Sequence, residues 1–171
     1  MAASGDLRID SLADHPELLA QVGLLRWKEW AYGAQDLAPF IEITAKEAGP
    51  GGQLPITLVA IDEAGSAAGA VGLDRVDNEL NAAELGGRTP WIVGMVVRAE
   101  SRKQGVGRQL LDSLQDVAAS LGHPRTWVAT GRQAVGFYQR CGWAAAEHLQ
   151  LESTGIATTI LTRPVNAVAA K

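Results

Sequence analysis

The stretch ESRKQGVGRQLLDSLQ, residues 100–115, combines two features that conflict in an ordinary surface helix. From Val106 onward, Val106, Leu110, Leu111, Leu114, Val117, Ala118 and Leu121 recur at the spacing of one apolar helical face. At the start of that face stand Gly105 and Gly107, which weaken a helix. Arg102, Lys103 and Arg108 add positive charge to the helix end that already carries a partial positive charge. Both features make sense if this end binds an anion. The first N–H groups of a helix have no acceptor within it, and glycine lets a phosphate approach the backbone directly. The plain alternative is a glycine-containing helix start with solvated charges.

Immediately upstream, WIVGMVVR (91–98) is β-rich and apolar on both faces, the pattern of a central buried strand. Ligands of α/β sheets gather where such strands end. Gly94 inside it predicts a bulge or a close backbone approach. Further out, LRIDSLAD (7–14) alternates as a first strand would, and Leu18, Leu19, Val22, Leu24 and Leu25 recur at helical spacing, with Asp14 as cap and Pro16 in the first turn. That helix breaks at Gly33. A second helix, LAPFIEITAKEA (37–48), stops at GPGG, LPITLVAID (54–62) is a strand, and EAGS turns it back into AAGAVGLDRVD (67–77). DNELNAAELGGRTP (77–90) lacks clear periodicity and reads as a loop. After the long helix, stopped by Gly122 and Pro124, come RTWVAT as a strand, QAVGFYQRC as a short helix, and WAAAEHLQLE and IATTILTRP as two closing strands. The expected order is β-α-α-β-β-β-α-β-α-β-β in one α/β domain over residues 1–171, with a core at about 5–163 and a frayed NAVAAK tail.

The chain has 171 residues, 47% of them apolar and 20% charged, with a net charge of -4. It can bury a core and shows no disordered composition. The negative balance argues against a nucleic-acid partner and suits a cationic ligand. One cysteine, Cys141, excludes an internal disulfide; its position on the last helix reads as a small buried hydrophobe. The start has no signal-peptide pattern and no apolar run is long enough to span a bilayer, so the expectation is a cytoplasmic protein with no membrane partner. His15, His123 and His148 show no metal-ligand spacing, and no metal is expected.

Three phosphate motifs compete for the glycine loop. A Walker loop, Gly-x-x-x-x-Gly-Lys-Ser/Thr, does not occur, and a dinucleotide fingerprint lacks its third glycine because Leu110 stands there. RKQGVG, Arg102 to Gly107, resembles the Gln/Arg-x-x-Gly-x-Gly/Ala pyrophosphate loop of the GNAT family of N-acetyltransferases. VVRAESRKQGVG extends the resemblance through the strand end at Val97, and AVGFYQRCGW (134–143) is similar to the family's later Ala-x-x-Phe/Leu-Tyr-x-x-x-Gly-Phe/Trp segment. The element order agrees over nearly the whole chain.

The resemblance implies a GNAT-type mixed, mostly antiparallel central sheet flanked by helices. It implies acetyl-CoA as co-substrate and direct attack of an amine on the thioester, with no acyl-enzyme. Carried over residue by residue, the Met95 N–H polarises the thioester carbonyl, the Val97 backbone holds the pantetheine arm, and the N–H groups of Gln104, Gly105, Val106, Gly107 and Arg108 cradle the pyrophosphate, with Arg102 and Lys103 adding charge. Tyr138 falls on the position of the acid that protonates the leaving thiolate; as a residue of an amphipathic helix it is otherwise a half-buried aromatic beside Phe137. Two departures stand out. The asparagine that many members carry seven positions before the tyrosine is Gly131 here, leaving Arg132 or Gln133 to replace it. The glutamate base that histone-type members carry six positions before the strand-end valine is Trp91.

The base therefore comes from elsewhere or acts through water. Asp74, Asp77, Glu79 and Glu84 precede Trp91, with Glu79 and Glu84 as candidate bases and Asp74 and Asp77 as candidate anchors for an ammonium group. Each is otherwise a solvated loop charge. In the first helix pair, which lines the acceptor cleft in the family, Trp27, Trp30 and Tyr32 accompany Glu29 and Asp36. Core packing is the default for Trp27 and Trp30, yet an aromatic wall edged by carboxylates suits a cationic sugar or cyclic amine. The expected acceptor is a primary amine of a small molecule, first of all an aminoglycoside or aminosugar antibiotic, in a monomer or homodimer. Protein N-termini, lysines and polyamines are alternative acceptors, and a non-catalytic acyl-CoA-binding regulatory domain is the alternative of another class.

Overall fold

A computed structural model describes residues 6–31, 36–50 and 52–166 of the chain. Seven strands are ordered β1-β2-β3-β4-β5-β7-β6: β1 Arg8–Ser11, β2 Ile56–Ile61, β3 Ala67–Asp74, β4 Trp91–Val97, β5 Arg125–Gly131, β6 Ala144–Gln150 and β7 Ala157–Pro164. The helices are α1 Leu19–Trp30, α2 Leu37–Glu47, α3 Ala82–Leu85, α4 Val106–Ser120 and α5 Arg132–Arg140. The sheet is mostly antiparallel, and β4 with β5 is its parallel pair, Trp91 opposite Trp127. This is the mixed, mostly antiparallel sheet that the resemblance implies. The chain forms two compact units, residues 1–73 with 94–114 and residues 74–93 with 115–171.

In the first unit, β1, β2 and β3 form an antiparallel meander, and the hairpin between β2 and β3 closes where Asp62 accepts from the Gly65 N–H and donates its own N–H to Ser66. Burial on both faces of β2 and β3 explains their continuous apolar runs. The core gathers Leu12, Leu18 and Val22 from the first segment with Val59, Ile61, Ala67, Ala70 and Val96. Gly69 matters to this packing: a Cβ there would lie 2.8 Å from the Val96 carbonyl oxygen and 3.4 Å from a Val106 methyl, so its absence lets β4 and the start of α4 settle on β3.

In the second unit, β7 pairs with β5 and β6. Leu80, Trp91, Leu151 and Ile160 form a core cluster. Trp91 is fully buried and its indole N–H donates to the Arg88 carbonyl at 2.7 Å. Trp127, whose ring centroid lies 6.3 Å from that of Trp91, is flanked by the guanidinium groups of Arg88 and Arg125.

Three local expectations are corrected. The first strand ends at Ser11, and residues 12–14 turn into a 3-10 helix; Asp14 lies inside that turn and caps nothing, and a second 3-10 turn from Pro16 to Leu18 leads into α1. The segment 77–90 is not all loop, because it contains α3. One turn is too short for hydrophobic periodicity to register. Its signal is the capping box Asn-Ala-Ala-Glu: the Asn81 side chain accepts from the Glu84 N–H at 2.9 Å and Glu84 accepts from the Asn81 N–H at 2.8 Å. Asn81→Ala removes that cap and is expected to lower stability by about 1 kcal/mol in urea unfolding. The Gly33 break and nearly all of the tail fall outside the described residues.

Candidate active site

The glycine loop is built by the first unit. Arg98, the residue after β4, donates its backbone N–H to Ala68 at 2.8 Å and its guanidinium to Asp62 at 2.9 Å, to Ser101 at 3.1 Å and to the Ala67 carbonyl at 3.4 Å. The Asp62 carboxyl is held below its ordinary range, chiefly by the Ser66 N–H and further by Arg98. These bonds fix the exit from β4. A 3-10 turn over Ala99–Ser101 follows, then four turn residues, then α4. Lys103 and Gly105 have φ of 61° and 81°. Left-handed residues in a turn curve successive N–H groups into the concavities that bind anions, and only at glycine is this conformation free of steric cost. The Gly105 carbonyl accepts from the Gln109 N–H at 3.0 Å, which makes Gly105 the residue preceding the helix. The N–H groups of Val106, Gly107 and Arg108 therefore belong to the first turn, where no intrahelical acceptor exists. The Gln104 side chain bonds back to the Glu100 carbonyl at 2.9 Å.

Along β4, Val96 points into the core while Met95 and Val97 are half-buried on the other face. The Val97 carbonyl accepts from Arg102 Nε at 3.1 Å, and Arg102 Nη2 pairs with Glu29 at 2.9 Å. Arg102 and Glu29, assigned to different ligands by the sequence, thus pair with each other, and this pair is exposed. On α1, Trp27 is half-buried and Trp30 is 38% exposed, so Trp30 is not a core residue. Asp36 precedes α2 without a side-chain cap bond. Tyr32 lies outside the described residues.

Gly94 has φ 59°, and a Cβ there would lie 2.7 Å from Arg26 Cζ. The close approach that Gly94 implied is therefore the approach of a buried guanidinium. Arg26 is 3% exposed; its Nε donates to the Gly94 carbonyl at 3.2 Å and its Nη1 to Thr44 at 3.1 Å and Glu47 at 2.9 Å. Burial lowers its pKa and Glu47 offsets part of that. Sequence reading missed Arg26; its only signal was an arginine on the apolar side of α1, next to Val22 and Leu25.

Tyr138 belongs to the second unit and is 4% exposed on α5, edge-on to Phe137 at 5.2 Å and to Trp143 at 6.0 Å. Its pKa is raised, first by burial and then by the charges of Cys141 and Asp77. Among Asp74, Asp77, Glu79 and Glu84, Asp77 is the carboxylate whose charge is felt at Tyr138. Asp77 also accepts from the Glu79 N–H at 3.0 Å, which orients its carboxylate. Asp74 ends β3 and accepts from the Arg75 N–H, and Glu79 is exposed. Glu84 is committed to structure: one oxygen caps α3 and the other accepts from the Glu152 N–H at 2.8 Å. These two N–H groups, Glu152 first, hold its carboxyl below the ordinary range. Gly131 ends β5 with nothing within 4 Å of a built Cβ, so the missing asparagine leaves open space beside the exposed Arg132 and Gln133. Cys141 is buried. Among the described residues, no helix is long and apolar enough to cross a membrane and no cluster of His, Cys, Asp and Glu could hold a metal ion.

No curated protein matches the chain in sequence. Three solved structures resemble it over almost their entire length. An aminoglycoside 6'-N-acetyltransferase complexed with coenzyme A is 15% identical with a TM-score of 0.75, over 95% of this chain and 99% of that one. An aminoglycoside 6'-acetyltransferase type Ii is 18% identical at 0.71, over 94% and 99%. A spermidine N-acetyltransferase chimera from Vibrio cholerae and hSSAT is 18% identical at 0.67, over 92% and 95%. At such identities the likeness is one of fold. The sequence pattern of the Acetyltransferase (GNAT) family, however, matches residues 20–143, which take in α1 from its second residue, the whole of β4, the glycine loop and Tyr138. The chain therefore belongs to the GNAT family and is an N-acetyltransferase.

Proposed function

We propose that the enzyme transfers the acetyl group of acetyl-CoA to a primary amine of a small, cationic molecule, with an aminoglycoside or aminosugar as the first acceptor to test. Residues 1–171 would act as one catalytic domain. The family match supports the reaction, and the solved aminoglycoside enzymes of the same fold suggest the acceptor. In this reading the loop from Arg102 to Arg108 binds the pyrophosphate, the Val97 backbone takes the pantetheine arm, and the Met95 N–H faces the thioester oxygen. The amine nitrogen attacks the thioester carbon and the C–S bond breaks. Tyr138 donates a hydrogen bond to the departing sulfur, solvent supplies the proton that makes the thiol, and the ammonium proton leaves to a carboxylate or through water.

The observation that supports the acceptor assignment is the acidic segment before Trp91, in which the half-buried Asp77 carboxylate is oriented by the Glu79 N–H at 3.0 Å. A half-buried carboxylate held in one direction suits attraction of an ammonium group and acceptance of its proton. An alkyl ammonium costs about 4–5 kcal/mol to deprotonate at neutral pH, so such a group is worth having. We assign this part to Asp77 ahead of Asp74 and Glu79, while Glu84, with both oxygens engaged, serves the α3 cap. Trp27, Trp30, Glu29 and Asp36 are proposed to contribute to acceptor binding.

The test is to replace Asp74, Asp77, Glu79 and Glu84 singly by the matching amide. Asp77→Asn is expected to lower kcat/KM for a cationic aminosugar at least ~10-fold, and Glu84→Gln mainly to lower stability. KM for the cation should rise with ionic strength, as screening of an acidic cleft requires, while a neutral amine analogue changes little. Full activity of Asp77→Asn overturns its assignment. Turnover of a peptide N-terminus or lysine in place of aminosugars overturns the small-molecule reading.

A further inference from the structure

A buried arginine with an idle donor is costly. Removing a guanidinium from water requires close partners for its charge and its N–H groups, and an unmet buried donor adds to that cost. Arg26 meets this only in part: Glu47 balances its charge, but Nη2 is buried with no hydrogen-bond partner among the described residues. A methionine or leucine would fill such a place between α1, α2 and β4 at less cost. What the guanidinium adds is its bond to one particular carbonyl, that of Gly94.

The carbonyl of Gly94 and the N–H of Met95 belong to the same planar peptide. A charge-assisted bond on the oxygen of a peptide draws electron density from its nitrogen, so the N–H becomes a stronger donor. The same contact restrains the plane of the peptide and hence the direction of the N–H. Gly94 fits this function twice, because its left-handed φ turns the peptide and its missing Cβ leaves room for the guanidinium. Thr44 completes the brace: it accepts from Arg26 Nη1 at 3.1 Å and donates its own hydroxyl to the Phe40 carbonyl at 2.7 Å.

We propose that Arg26 is a positioning residue for acetyl transfer: by binding the Gly94 carbonyl it aims and polarises the Met95 N–H that receives the developing oxyanion. This rests on the assignment of the Met95 N–H to the thioester oxygen. Arg26 touches neither substrate. Its effect is transmitted through one peptide bond, and the full charge behind it acts on the transition state more than on the bound thioester, because only there does the oxygen become anionic.

Arg26→Met alone removes the cation paired with Glu47, so the measurement uses Arg26→Met/Glu47→Gln beside Arg26→Lys, each checked for fold by circular dichroism. Two readouts are taken: steady-state turnover with saturating amine, and the infrared carbonyl stretch of acetyl-CoA carrying carbon-13 at the thioester. The double variant is expected to lose about 10–100-fold in kcat, somewhat less than deletion of a whole oxyanion donor, with acetyl-CoA affinity little changed. The downward shift of the carbonyl stretch on binding should shrink in parallel. Arg26→Lys, which keeps a cation beside the carbonyl, should recover part of both. A folded double variant with the wild-type kcat and the wild-type carbonyl shift overturns the proposal and leaves Arg26 a brace between helices. If the wild-type enzyme itself shows no carbonyl shift, the assignment of Met95 fails first, and that failure is visible independently of any variant.

Discussion

Gly105→Asp is expected to weaken acetyl-CoA binding by at least ~100-fold while leaving a folded protein. Gly105 is exposed, and a built Cβ meets only the far end of Gln109, at 3.9 Å, so the side chain has room. Two effects then oppose binding. A carboxylate beside a pyrophosphate is repelled by about 4 kcal/mol at 4 Å for each unit charge in a surface environment, which alone exceeds a hundredfold. The left-handed backbone also costs a non-glycine residue about 1–2 kcal/mol, but this strain falls on free and bound protein alike and lowers stability more than affinity. Gly105→Ala separates the two, since it carries the strain without the charge and should retain affinity within about tenfold. Calorimetric titration with acetyl-CoA, beside circular dichroism, reads both. Unchanged affinity in a folded Gly105→Asp protein would remove the loop from the cofactor site.

Tyr138→Phe is expected to lower kcat by about 10–1000-fold, the span of general-acid contributions, with acetyl-CoA affinity little altered. The ring contacts with Phe137 and Trp143 survive the change, and only the hydroxyl is lost. Burial, and after it the charges of Cys141 and Asp77, raise the phenol's pKa. The sign is clear: a raised pKa keeps the proton on oxygen beyond the ordinary value of about 10, so ionisation of Tyr138 should cause no loss of kcat at lower pH. The raised value also makes complete proton transfer to a thiolate of pKa about 8.5 unfavourable. Hydrogen-bond donation to the departing sulfur, with solvent completing the transfer, is therefore the form this acid takes. Stopped-flow measurement of thiol release in single turnover checks it. Near-normal rates in the phenylalanine variant would reduce Tyr138 to packing.

How far the sequence carried can be judged at particular residues. The strand WIVGMVV was legible as a continuous β-rich apolar run, and the helix after it because its apolar face repeats at the helical period over about four turns. Gly94, inside a strand, and Gly105, at a helix start, stood out because glycine in such places needs a reason; both have a positive φ, which the sequence did not show. Helix α3 was not, since its single turn is specified by a side-chain cap rather than by an apolar stripe. Arg26 was missed because its meaning lies in partners far along the chain, at Thr44, Glu47 and Gly94. The same limit applies to the carboxylates before Trp91, which the sequence places in one segment with no means of ranking them. Glu84 proved to be a helix cap, and the Asp77 carboxylate proved to be oriented by the Glu79 N–H. Nor could the sequence see that Arg102 and Glu29 pair.

The most direct test of the central claim is a thiol-release assay with acetyl-CoA against a panel of amines: aminoglycosides, other aminosugars, polyamines, free amino acids and peptides with a free N-terminus or lysine. The products are identified by mass spectrometry. The account predicts amine-dependent release of coenzyme A, one acetyl group added to a nitrogen of a cationic small molecule for each thiol released, and loss of that release in Tyr138→Phe. Binding of acetyl-CoA with no amine-dependent thiol release from any member of the panel would contradict it and would point to a domain that binds acyl-CoA without transferring the acyl group.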